Sequence, residues 1–245
     1  TLAGVLTIVL GSILQRKILL PKRSAIGKIG LLSLLQTVLQ YLFFYIGLAH
    51  TTGVKASIIE AVSTFVAILV AGYLFHQETV TSRKMLGCLI VNVAGSGMDF
   101  HFSPAGDGCI LLSTVAYAFS SVCMKRFSQK EDPVMLSGYQ FILGGIVMIA
   151  CGAAMGGHLK AFTASAAALL IYMAMISAVA YSLWGMLLKY NPVSKVTVFG
   201  FMNPVIGVIL SALLLNETES LGVSSVLALG LVCVGIYIVN AKDKD

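Results

Sequence analysis

Charge is what this sequence has least of. Of its 245 residues only 11% are Asp, Glu, Lys or Arg, while 58% are hydrophobic; a soluble domain carries about 25% charged residues. A mean hydropathy of +0.95 leaves too little polar surface to face water all round, which excludes an ordinary soluble globule. Missing motifs exclude more. There is no P-loop, so ATP is not hydrolysed by that route. There is no HExxH, no GxSxG and no pair of aspartates inside an apolar run. The four histidines (His50, His76, His101 and His158) stand singly at the ends of apolar runs, whereas an enzyme needs a convergent catalytic set. The five cysteines (Cys88, Cys109, Cys123, Cys151 and Cys233) form no CxxC pair. They read as small packing residues rather than zinc ligands or a redox motif. The expectation is no enzyme, no metal and no cofactor.

What is present comes in long blocks. Nine apolar segments cover roughly 1–15, 29–49, 54–75, 84–100, 108–124, 134–156, 164–188, 195–215 and 221–240. Runs near 20 residues match a hydrocarbon thickness of about 30 Å. They are too long and too evenly apolar for barrel strands, which leaves helices as the spanning form. Residue 1 is Thr, and an apolar run has already begun there, with Arg16 and Lys17 after it. A signal peptide carries its charges first, so this stretch reads as a truncated membrane helix.

The basic residues are unevenly placed. Let the junction at 16–28 be cytoplasmic; it holds Arg16, Lys17, Lys22, Arg23 and Lys28. Every second junction then falls on that side, with Arg83 and Lys84, then Lys125, Arg126 and Lys130, then Lys189 and Lys195, then the tail Lys242 and Lys244. Fourteen basic residues lie on this side, and only Lys55 and Lys160 on the other. This is a positive-inside pattern. It accounts for the net charge of +6 without a nucleic-acid partner, and it puts the C-terminus in the cytoplasm of a cell (inner) membrane protein.

A faint internal repeat is also visible. GYLFHQETVTSRKMLGCLIVNVAG (72–95) and SALLLNETESLGVSSVLALGLVCVG (211–235) share a helix end, a Gln/Asn-Glu-Thr and a second helix ending near Gly. Glu78 and Glu217 are 139 residues apart, Lys55 and Lys195 share nearly that offset, and LAGVL (2–6) echoes LGGIV (143–147). The expected repeats are 1–106, with four helices, and 107–245, with five. A helix missing at the start would make ten, in two five-helix repeats. Five is odd, so the repeats are inverted, a plan common among secondary transporters with a site near the midplane.

The stretch SAVAYSLWGMLLKYNPVSKVTVFGFMNPVIGVILSALLLNE (177–217) resembles the drug/metabolite transporter superfamily, EamA type. ETVTSRKMLG (78–87) and GDGCILLSTVAYAFSSVCMKRFSQKEDP (106–133) are similar to further elements of that family. The resemblance spans the chain, less the family's first helix. It implies an all-α polytopic permease that exports a small metabolite such as an amino acid. One departure is that Pro204 has no counterpart in the first half, where the helix reads EAVSTFVAIL with Phe65 near the expected place.

Glu60 is a carboxylate inside an apolar run, six residues in and so roughly 9 Å from the helix start. An acidic residue at a helix centre costs about 2.5–3.5 kcal/mol on insertion scales, and less at this depth. Ser57, Glu60 and Thr64 share a helical face that Ala67 and Ala71 continue, which suits a cavity wall. Glu60 can then carry a proton across or bind a substrate amine; otherwise it reaches the interface or pairs with Lys55. Other polar faces are Gln36 and Gln40 with Phe44, then Ser113, Tyr117 and Ser121, then Ser177, Tyr181 and Trp184, then Gly200, Asn203, Gly207 and Ser211 beside the helix-breaking Pro204. Each alone is compatible with ordinary helix packing; together they point to a polar central cavity. Glu78 and Glu217 follow their helices and serve as helix caps or in gating. Gly152 and Gly156 form a GxxxG that suggests a close helix contact. Asn216-Glu217-Thr218 matches a glycosylation sequon but sits too tight against a helix end.

These residues point to a secondary transporter working by alternating access, with Glu60 as its protonatable or substrate-facing group and proton coupling as the hypothesis that this residue raises. The alternatives are a channel, although no filter loop or charged ring is present, and a membrane receptor without flux. Expected partners are a small, neutral or zwitterionic solute and the bilayer, with a homodimer left open.

Overall fold

The computed structural model describes residues 1–51, 53–82, 84–86, 103–157 and 163–202, together with 206, 234 and 238. Among these, all regular structure is helical. Helix α1 is Leu2–Gln15, α2 is Arg23–Leu32, a π-helical stretch covers Ser33–Leu39 and α3 is Gln40–Leu48. Helix α4 is Gly53–Leu69 and runs into a second π-helical stretch, Val70–Leu74. A third, Pro104–Gly108, leads into α5 (Cys109–Ser128); α6 is Pro133–Ala154, α7 is Ala164–Tyr190, and α8 is Val193–Thr197, tightened to a 3₁₀ turn over Val198–Phe201.

Among the described residues four continuous stretches, Arg23–Leu48, Pro104–Ser128, Pro133–Ala154 and Ala164–Tyr190, are long and apolar enough to cross a bilayer. The chain is a multi-pass helical membrane protein. Six expected segments match described helices, and 195–215 is helical as far as it is described. The segments 84–100 and 221–240 fall mostly outside the described residues. The helix expected to start at 29 starts at Arg23, because Ser24 and Lys28 in its first turns find a partner in Glu131. The segment ending at 124 runs on to Ser128, with Lys125 and Arg126 in its last turn, where the helix dipole favours cations. Helix α7 leaves Leu169, Ile171, Tyr172, Met173 and Ile176 exposed, a face that suits hydrocarbon.

The chain divides into two compact units. Unit 1 is Thr1–Leu42 with Cys123–Tyr190, and unit 2 is Phe43–Val122 with Asn191–Asp245. Each takes a stretch from both sequence halves. A repeat records similar sequence and a packing unit records which helices touch, so the two need not share boundaries.

In unit 1, α1 buries Gly4, Thr7 and Gly11, one small face at helical spacing. A Cβ at Gly4 would lie 2.5 Å from the carbonyl oxygen of Gly138, and one at Gly11 would lie 2.6 Å from Cγ1 of Val134. The two backbones therefore meet at glycine, which is how helices pack where lipid competes with any apolar side chain. The start of α6 is written in Asp132-Pro133. The Asp132 carboxylate accepts from the N–H groups of Val134 (2.9 Å) and Met135 (3.1 Å), and Pro133 needs no N–H partner in the first turn.

In unit 2, α4 packs on α8 and its 3₁₀ extension. A Cβ at Gly47 would lie 2.8 Å from the Gly106 carbonyl oxygen. Asp107 is buried and takes hydrogen bonds from the Thr51 hydroxyl (2.7 Å) and the Ser103 N–H (2.9 Å).

Junctions expected on the same side of the membrane are neighbours within each unit. Lys28 and Lys17 reach Glu131 and Asp132, and Glu78 reaches Ser194. Thr51 reaches Asp107. The GxxxG expectation is corrected: a Cβ at Gly152 meets nothing within 4 Å, and Gly156 ends α6 at φ +82°. That left-handed turn favours glycine, and it, rather than a helix contact, accounts for Gly156.

Candidate functional site

Polar groups are scarce in the interior of unit 1, and they gather on three helices. Gln36 lies in the π-helical stretch and Gln140 near the middle of α6; both are buried. Gln140 Nε2 donates to Gln36 Oε1 at 2.9 Å. Further along, the Tyr41 and Tyr181 hydroxyls share a hydrogen bond of 2.9 Å. The Tyr181 ring stands edge-on to Phe141, with centroids 4.7 Å apart, and Ser137 Oγ donates to the Tyr181 carbonyl at 3.3 Å. Gly144, one turn beyond Gln140, meets Thr37 and Ser33. A π-helical turn often marks a functional position, and here it carries Gln36 and Thr37. Three oxygens in this unit are buried without a hydrogen-bond partner among the described residues: Thr37 Oγ1, Gln40 Oε1 and Gln140 Oε1.

Of the expected residues, Gln36, Gln40, Tyr181 and Trp184 belong to unit 1. The structure joins Gln36 to Gln140 and Tyr181 to Tyr41. The Ser177 hydroxyl bonds back to the Met173 carbonyl of its own helix at 2.9 Å.

Unit 2 holds Glu60, Thr64, Glu78, Tyr117 and Ser121. Glu60 is half-buried on α4. Thr64, on the same face, is 1% exposed, and its hydroxyl donates to the Thr197 carbonyl at 3.0 Å. It braces the point where α8 tightens into 3₁₀. On α5, Ser113 Oγ and Ser121 Oγ are buried without a hydrogen-bond partner among the described residues, and Tyr117 lies between them on the same face. Glu78 accepts from the Ser194 N–H (3.0 Å), the Ser194 hydroxyl (2.6 Å) and Lys84 Nζ (3.0 Å). It therefore closes the first turn of α8. Asn203, Pro204 and Glu217 lie outside the described residues.

The charged groups of unit 1 sit at its ends. Lys28 donates to Glu131 at 2.7 Å and Ser24 adds a second bond at 3.3 Å; the Lys28 hydrogen bond holds the Glu131 carboxyl below its ordinary range. Among the described residues no three His, Cys, Asp or Glu side chains come together as a metal site.

Sequence reasoning passed over Gln140, Thr37, Tyr41 and Asp107. Gln140 had a signal, since it is an amide in the apolar run PVMLSGYQFILGG with Ser137 and Gly144 on its face.

Comparison with known proteins agrees with this architecture. The sequence matches the EamA-like transporter family over residues 1–95 and 104–241. A WAT1-related chloroplastic protein of Arabidopsis thaliana is 26% identical over 81% of this chain and 51% of its own length. An uncharacterized transporter of Archaeoglobus fulgidus is 28% identical over 91% of this chain and 78% of its own. The transporter YvbV of Bacillus subtilis is 26% identical, over 86% and 71%. The chain spans about half the length of the plant relative and 37% of a Methanothermobacter thermautotrophicus transporter that it also matches. A solved crystal structure superposes with a TM-score of 0.80 over 97% of this chain and 84% of that one, at 16% identity, a likeness of fold alone. With close-packed apolar helices, neutral polar groups midway along them and a match over nearly every residue, the chain belongs to the EamA-like transporter family.

Proposed function

We propose that the chain is a secondary transporter that exports a small metabolite, such as an amino acid, across the plasma (cell inner) membrane by alternating access. The observation that carries this reading is Glu60. It is half-buried on an apolar helix, and no hydrogen bond or ion pair to it is present among the described residues. A carboxyl is expensive to keep in such a place and marks a transport path by default. Glu60 takes up a proton from one side and releases it to the other, which couples solute movement to the pH gradient. The basic junctions face the cytoplasm, as does the C-terminus, and the two inverted repeats supply the two states. Buried hydroxyls without partners on α5 and the names of the relatives support the same reading.

The test is flux. The protein is reconstituted into liposomes loaded with amino acids and common metabolites, and efflux is followed under an imposed pH gradient. A solute should leave faster as the gradient grows, and Glu60→Gln should lose that dependence. Equal gradient dependence in wild type and Glu60→Gln would sink proton coupling through this residue. No movement of any solute in the panel would count against export of a common metabolite.

A further inference from the structure

The polar groups inside unit 1 are not used up by one another. Two glutamine side chains facing each other can exchange two hydrogen bonds; Gln36 and Gln140 make one, at 2.9 Å. Gln140 is 0% exposed, yet its Oε1 has no donor among the described residues, and neither do Thr37 Oγ1 and Gln40 Oε1. Turning both amides of the pair over keeps the bond, moves the free oxygen to Gln36 and leaves an Nε2 open on Gln140. A pair kept purely to hold helices together would close its second bond, because an open acceptor away from water is costly. One bond between two glutamines leaves an amide oxygen and an amide NH2 of the pair open, which is the complement of another amide.

The charge around it limits the donor. The described carboxylates of unit 1 are Glu131 and Asp132. Both lie at the start of α6 and are engaged, by Lys28 and Ser24 and by Lys17 and Gln15 respectively. Within the unit no anion stands ready to neutralise a cation at the cluster. A neutral hydrogen-bonding group therefore fits better than an ammonium. The adjoining surface is aromatic, with Tyr181 edge-on to Phe141 at 4.7 Å and bonded to Tyr41.

We propose that Gln36 and Gln140, with Thr37 and Gln40, form a recognition site in unit 1 for an uncharged group that offers both N–H donors and a carbonyl, a carboxamide carried on a flat apolar body. The site selects which solute is moved, and in that clause it rests on the transport reading.

Benzamide and N,N-dimethylbenzamide are suitable probes, since they share the ring and carbonyl and differ in the N–H donors. The protein in lipid nanodiscs is unfolded thermally with each over a rising concentration series. Benzamide should raise the unfolding temperature and its dimethyl analogue should not. Gln36→Leu with Gln140→Leu should abolish the shift, while without probe the double variant should unfold no lower than wild type, because both partners of the bond and the open acceptors leave together. Should that variant not fold, Thr37→Val is the second test; it should weaken apparent benzamide binding about fivefold, the worth of one hydrogen bond. Probes that act alike, probes that are both silent on wild type, or a benzamide shift that survives in the variants would overturn the proposal, and a purely structural pair would show as a lower unfolding temperature in the double variant. A benzamide-specific shift in a protein that moves no solute would remove the transport reading and leave the site standing; flux without any benzamide effect would do the reverse.

Discussion

Glu78→Ala tests how the start of α8 is held. Three contacts disappear together: the Ser194 N–H at 3.0 Å, the Ser194 hydroxyl at 2.6 Å and Lys84 at 3.0 Å. The Glu78 and Lys84 side chains are 6% and 12% exposed, so water does not readily replace what is lost. Hydrogen bonds to a charged group contribute about 1.5–3 kcal/mol each, and stranding a buried partner charge costs about 3–5 kcal/mol. Lys84 still donates to the Thr79 carbonyl at 2.9 Å, which puts the expected total near the low end, about 3–4 kcal/mol. At about 2–4 °C per kcal/mol for a chain of this size, the unfolding temperature should fall by roughly 6–15 °C. Ser194→Ala loses one bond to the Glu78 carboxylate and should fall by about 3–12 °C. The double variant should be no worse than Glu78→Ala alone, since both remove the same bonds. The assay is thermal unfolding in lipid nanodiscs at one scan rate. Glu78→Ala within about 2 °C of wild type, or full additivity of the two substitutions, would refute the reasoning.

The Glu131 carboxyl is held down by the Lys28 hydrogen bond. Its contribution is therefore present above the ordinary carboxylate pKa and is lost as pH falls through the lowered value. Unfolding temperatures of wild type and Glu131→Gln should differ near neutral pH and converge on acidification below about pH 4; a gap that persists in acid would contradict this. Gly4→Ala drives a methyl against the Gly138 carbonyl and should cost about 1–3 kcal/mol, whereas Gly152→Ala meets nothing and should be neutral or mildly stabilising, within about 1 kcal/mol. Equal unfolding temperatures for these two variants would mean that α1 and α6 do not meet at glycine. Thr64→Val keeps shape and loses the bond to Thr197, so a fall of about 2–4 °C is expected for one buried hydrogen bond, and no change would show that the carbonyl finds another donor.

The helices were legible because insertion into hydrocarbon depends on summed composition, and a run such as CGAAMGG after FILGGIVMIA says where it ends. The start of α6 was legible in Asp132-Pro133. Other features had no sequence signal. SLLQTVL (33–39) contains nothing that forbids a regular α-helix, and its π-helical turn is a tertiary outcome. Thr64 looked like part of a cavity wall because its partner, the Thr197 carbonyl, is a backbone group that every residue owns. Glu78 looked like a local cap, but the turn it closes is 116 residues away. Gln140 was passed over because a search for polar stripes rewards two amides four apart, as at Gln36 and Gln40, over one amide between two small residues. The small residues are the better sign, since Gly144 lets the π-helical turn come close enough for the amides to meet.

The polar groups of each unit sort by depth, and this sorting separates stability from function. At the ends they are charged and bonded: Lys28 with Glu131, Asp132 with the first turn of α6, Glu78 with Lys84 and Ser194. Along the helices they are neutral and partly open: Thr37, Gln40 and Gln140 in one unit, Ser113 and Ser121 in the other. Water at the membrane surface would satisfy an open group at an end at little cost, yet among the described residues most bonds at the ends are completed, Gln77 Oε1 being an exception. Deeper in, an open group is expensive, yet that is where bonds are left unmade. On the proposed reading, the open groups at depth await a bond to something that comes and goes, and buried sites of that kind trade stability for function. The same logic gives opposite signs for substitution at the two depths: apolar replacements at the ends should lower the unfolding temperature, and shape-matched apolar replacements of the open groups should not.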